Sequence, residues 1–189
     1  FSPDDSNGGN RIAAAREAAY VDGDAFHRLL GFMSTFFPHY RRLRIALPGD
    51  IDLGAICPNP YDVRTEMNYG YMLRAVNARA MLESQPLSPA LKALAGIKPL
   101  SFSLALTDEM IPQNTGRYDV TITGEGVKCA QSEYGDADMK MNINTFSQLT
   151  TGSISLSEAY ARDDFEIGAL CPAAEMLFVR RPQYIVDHY

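Results

Sequence analysis

The chain has 189 residues, 46% of them apolar and 21% charged, with a net charge of −6. That balance predicts a soluble globular protein with one good core or two small ones. The acidic net charge and the single short arginine cluster, Arg41, Arg42 and Arg44, argue against a nucleic-acid-binding surface. No apolar run reaches the roughly 18 residues of a membrane span. Cys57, Cys129 and Cys171 are odd in number and without CxxC or zinc-like spacing. They suggest neither a disulfide framework nor a metal site, and fit a reducing, cytoplasmic setting.

Residues 1–10, rich in Pro, Asp, Ser and Gly, read as a mobile lead-in. In residues 11–20 five alanines favour helix by propensity alone. Asp22-Gly23-Asp24 is a break, from which Asp24 can cap a helix reaching Phe36, with Leu29, Leu30, Met33 and Phe37 as its apolar stripe. Leu43, Ile45 and Leu47 then alternate as in a strand that stops at Pro48-Gly49. Residues 50–68 hold Pro58, Pro60 and several Asn and Asp, and read as a surface crossing that ends in a domain boundary at Asn68.

Past this boundary, Ala78, Met81 and Leu82 share one helical face until Pro86. Ser88-Pro89 starts another helix, whose Leu91 and Leu94 point inward until Gly96. Alternation predicts strands through Phe102, Leu104 and Leu106 and through Tyr118, Val120 and Ile122, with a further strand from Val127 after the Gly124-Glu125-Gly126 turn. Residues 138–152, DMKMNINTFSQLTTG, change period in the middle. Met139, Met141 and Ile143 alternate as a strand, Thr145 offers a helix cap, and Gly152 supplies a left-handed stop. Ser155 and Glu158 then have capping-box spacing. A closing helix from Pro172 carries Ala173, Met176 and Leu177 inward. The sum is an α+β chain whose second part is a mostly antiparallel sheet with helices on one side.

Strand, short helix, glycine and second helix, together with YMLRAVN ending at Asn77, LALTD ending at Asp108, IPQNTG ending at Gly116 and MLFV ending at Val179, resemble a sterol-carrier-like domain. The resemblance covers residues 69–189. It is closest to the C-terminal domain of bacterial N-acetyltransferases of the enhanced intracellular survival (Eis) type, which carry GNAT domains in front. Residues 1–68 would then be the end of a GNAT-like domain, with a strand in place of helix in residues 11–20 and a strand, helix, strand order. The resemblance implies a C-terminal portion that completes the acceptor pocket of an acetyl-CoA-dependent enzyme, for an amine-bearing small molecule or a lysine side chain.

A GNAT domain grips the acetyl-CoA pyrophosphate with a glycine-containing turn at a helix N-terminus. That turn is missing from the sequence: Ser6-Asn7-Gly8-Gly9 has neither its spacing nor a preceding strand. Acetyl-CoA is therefore expected on a domain outside this chain, with no cofactor or metal residues in it and no activity from the portion alone. His27, His39 and His188 are scattered. The resemblance assigns the C-terminal carboxylate, here on Tyr189, as the base, with Asp187 and Tyr184 beside the acceptor amine. A free α-carboxylate titrates near about 3.3–3.7, so this role requires a water-poor site that raises it. A second reading is a binding module for fatty-acyl or sterol-like ligands, its tunnel lined by Met139, Met141, Phe146, Leu149, Leu156 and Met176. A third, a homo-oligomer builder, expects a wide apolar patch outside the core.

Overall fold

A computed structural model describes residues 2–4, by backbone alone, 11–67 and 72–184. The chain forms two compact units: Phe1–Tyr69 with Gln183–Tyr189, and Gly70–Pro182.

In the first unit, β1 (Ser2–Asp4) runs antiparallel to β2 (Ile12–Ala15), so part of the expected lead-in is a strand. Helix α1 (Gly23–Ser34) leads to β3 (Arg42–Ile45), which pairs with β2 in parallel. The alanine-rich stretch is extended, against its helix propensity, because Ala13 is completely buried between two strand partners. Asp22, not Asp24, caps α1: its carboxylate accepts the Ala25 N–H at 2.7 Å. Phe26 and Met33 form the buried stripe, while Phe37 lies beyond the helix and is exposed. A short helix, α2 (Leu53–Ile56), and a 3₁₀ turn at Pro60–Asp62 follow, each started by an Asx cap from Asp52 or Asn59.

The second unit begins with α3 (Ala78–Glu83) and α4 (Pro89–Ile97), capped by the Asn77 and Ser88 side chains. Strands β4 (Leu100–Thr107), β5 (Gly116–Thr123), β6 (Gly126–Ser132) and β7 (Met139–Asn142) come next, then α5 (Ile143–Thr151), α6 (Leu156–Ala159), β8 (Phe165–Ile167) and α7 (Pro172–Leu177). The sheet order is β6-β5-β4-β7-β8, antiparallel except for β4 and β7. Register sets Leu104 opposite both Tyr118 and Met139, Phe102 opposite Val120, and Val120 opposite Cys129. Strand alternation thus collects the apolar side chains on one face, where they form a single core with residues of α3 to α7.

Several expected positions shift by one to three residues. Ala95 is buried beside Leu91 while Leu94 is 45% exposed, since α4 turns its edge to the β5–β6 turn. There Gly124 is a close approach: a Cβ on it would sit 3.1 Å from the Gly96 Cα. Ile143 opens α5 instead of closing the strand, and Asn142, not Thr145, is the cap, accepting the N–H groups of Asn144 and Thr145. The Thr145 hydroxyl donates instead to Asp164 at 2.6 Å. In α7 Ala174 is buried and Met176 only partly so.

The expected stop of α5 and start of α6 are in place. Gly152 has φ 78°, and the Ser155–Glu158 capping box is complete. Alternation in β4 hides a second fact: Ser103 and Ala105 on the opposite face are buried too. Residues 133–138, joining β6 to β7 past β5 and β4, explain it. Arg117 and Lys140, both opposite Ala105, grip Asp136 of this connection, and the Asp138 carboxylate accepts both the N–H and the hydroxyl of Ser103.

Two substitutions test this packing by urea unfolding. Leu91→Ala should cost about 2–5 kcal/mol and Leu94→Ala under about 1 kcal/mol; equal losses would contradict the orientation of α4. Gly152→Ala should cost about 1–2 kcal/mol from the left-handed backbone alone, and more because its Cβ would lie 2.8 Å from the Arg181 side chain.

Candidate functional site

Three of the four landmark segments of the sequence meet at one carboxylate. Asp108 follows β4, and its side chain is fully buried. Its Oδ1 accepts the N–H groups of Met110 and Ile111 at 3.0 Å each and pairs with the Arg74 guanidinium. Its Oδ2 accepts from Asn114 Nδ2 at 2.9 Å. Asn114 also donates to the Val76 carbonyl and accepts the Ala78 N–H, which fastens the entry of α3. Thr115 closes the loop on the Asp108 backbone in both directions, and the Tyr118 hydroxyl donates to the Asn114 carbonyl at 2.8 Å.

Burial by itself raises the Asp108 pKa, but the donors from Asn114, Ile111 and Met110 and the charge of Arg74 outweigh it and hold the carboxyl below its ordinary value. Tyr118 is pushed up to about 12, chiefly by burial, and serves as a neutral donor. Burial also raises the Cys129 thiol to about 11, and with Asp138 it raises Cys171, so neither thiol is a ready nucleophile at neutral pH.

Above this carboxylate network lies a groove of about 330 Å³. It is lined by the buried Asn114 and Tyr118 together with Val76, Asn77, Arg79, Ile111, Gln113 and Gln131. In the first unit a hollow of about 150 Å³ lies against His39 and Tyr40. The residues expected to line a tunnel are elsewhere: Met139, Met141, Phe146, Leu149 and Leu156 are packed in the core. Among the described residues no group of three His, Cys, Asp or Glu could hold a metal, and no helix is long and apolar enough to cross a membrane.

Of the residues assigned to the acceptor site, Asp187 and Tyr189 lie outside the described residues. Tyr184 belongs to the first unit, where its hydroxyl accepts the Ala18 N–H at 2.9 Å and donates to the Ala46 carbonyl at 3.1 Å. Sequence reasoning quoted Arg74, Asp108 and Asn114 as landmarks without a role. The available signal was an Asp six residues before an Asn-Thr-Gly turn, a pairing suited to a buried, saturated carboxylate.

Fold and site together define an α+β protein with a helix-covered, mostly antiparallel sheet. Residues 80–186, more than half of the chain, match the family model described as a sterol carrier protein domain, and the chain belongs to that family. Among solved structures it is similar to Eis1 from Mycobacterium abscessus, with 15% identity and TM-score 0.74 over 99% of this chain and 46% of that one. It is also similar to a GCN5-related N-acetyltransferase from Kribbella flavida, with 14% identity and TM-score 0.69 over 97% and 44%. A third is a conserved Enterococcus faecalis V583 protein of unknown function, described as a probable N-acyltransferase, with 23% identity and TM-score 0.68 over 92% and 41%. The chain therefore spans less than half the length of each of these structures. No curated protein matches it significantly.

The lowered pKa of Asp108 fixes the sign of an acid effect. Its stabilisation is complete above the ordinary carboxylate range and is lost as pH falls through the lower folded value. Urea midpoints measured from about pH 5 down to about pH 2 should fall in the native chain. Asp108→Asn should cost about 3–5 kcal/mol at neutral pH, by leaving the Arg74 charge without its partner, and should flatten that acid dependence.

Proposed function

We propose that this chain is the C-terminal portion of a GNAT-type N-acetyltransferase of the enhanced intracellular survival kind, acting in the cytoplasm. In that enzyme it completes the pocket for an amine-bearing small molecule or a lysine side chain. The observation that carries this reading is the extent of the likeness: 92–99% of the chain, both units included, aligns with acetyltransferase or acyltransferase structures of about twice its length.

Acetyl-CoA belongs, on this reading, to a domain outside the chain. The first unit is poorly suited to it. Where β2 leads into α1, an α/β unit offers free N–H groups to a pyrophosphate. Here the Asp22 carboxylate already takes the Ala25 N–H, and Asp24 adds a second negative charge in the first turn. Two carboxylates at that helix end repel a phosphate anion. The Tyr189 carboxylate remains the proposed base of the same enzyme, and Asp187 a proposed acceptor contact.

The second reading, a carrier of fatty-acyl or sterol-like ligands, is favoured by the family match over residues 80–186. It requires the packed methionines and Phe146 to move aside, because they fill the space where the ligand would lie.

Two measurements separate the readings. The 189-residue chain alone should release no CoA from acetyl-CoA with a panel of amines, whereas the longer enzyme should; turnover by the chain alone would show that the cofactor has been misplaced. Titration with a fluorescent fatty acid should show no saturable uptake, and stoichiometric binding would favour the carrier. In the longer enzyme, adding two residues after Tyr189 should lower turnover by about 10²–10⁴-fold if its carboxylate is the base.

A further inference from the structure

The parallel ladder between β2 and β3 ends at the pair Ala15 and Ile45, after which the Ala46 N–H donates to the Ala15 carbonyl at 3.0 Å. The next rung of such a ladder would bring an N–H from two residues beyond Ala15 to the carbonyl of Ala46. The chain bends at Arg16 instead. The Ala46 carbonyl accepts from the Tyr184 hydroxyl at 3.1 Å, and the Tyr184 phenol oxygen in turn accepts the Ala18 N–H at 2.9 Å. One phenol thus stands in for the missing rung, donating to one strand and accepting from the other. Ala18 is 7% exposed, so its N–H has little access to water and would be costly to leave unpaired. These bonds join positions 166 and 138 residues apart in sequence, yet all three residues belong to the first unit.

We propose that Tyr184 is a clasp. It closes the open end of the β2–β3 pair and makes the first unit depend on a segment synthesised after the whole second unit. The clasp does not depend on the acetyltransferase reading above. Tyr184→Phe keeps the ring and removes both bonds, which isolates the hydroxyl from the packing.

Hydrogen exchange on the 189-residue chain reads the clasp directly. In Tyr184→Phe the Ala18 amide should exchange about 3–10-fold faster, the effect of losing one net hydrogen bond. Leu104 and Val120 in the second unit should exchange as before, which excludes general unfolding. Unchanged exchange at Ala18 overturns the clasp.

Discussion

A buried carboxylate is costly in an apolar interior unless both oxygens are hydrogen-bonded and its charge is offset. Asp108 satisfies both conditions, and the second unit is arranged around its doing so. Met110 and Ile111 give backbone N–H groups, Asn114 an amide and Arg74 a counter-charge. These donors come from the entry segment before α3 and from the loop that joins β4 to β5. Asn114 then passes the constraint onward through Val76, Ala78 and Tyr118. The groove over this network inherits its shape: its buried lining residues, Asn114 and Tyr118, are held by bonds to the network and have little freedom to rearrange.

The sheet imposes a different constraint. Its apolar face is covered by helices, and the chain must return from β6 at one edge to β7 beyond β4. The short connection at residues 133–138 does this with the Arg117 and Lys140 grip on Asp136, while Asp138 satisfies Ser103. A small residue at Ala105, completely buried between Arg117 and Lys140, leaves room for that crossing. A larger side chain there would have to displace the two cations holding the connection down.

The first unit depends on its last segment in a comparable way. Its two parallel strands lose their common ladder after Ala15 and Ile45, and the backbone groups left over are met by Tyr184. The helix end beside them is met by Asp22. Groups that an α/β unit commonly presents to a ligand are therefore bonded within the chain.

Much of the fold was legible because it rests on short-range chemistry. Period-two alternation marks β4, β5 and β7, Pro89 and Ser88 mark the start of α4, and Gly152 and the Ser155–Glu158 pair mark the turn from α5 to α6. These signals act within a few residues, so one sequence carries them whole. Choices between near neighbours were decided elsewhere: Asn142 over Thr145 as a cap, Ala95 over Leu94 as a core residue, strand over helix at Ala13. Each depends on what packs against the segment, and for Ala13 burial between two strands overrides its own propensity. The same holds for function. That Tyr184 bonds the backbone at Ala18 and Ala46, and that Arg74 pairs with Asp108, follows from tertiary contacts across 34 to 166 positions of chain, a range over which no local period or spacing carries information.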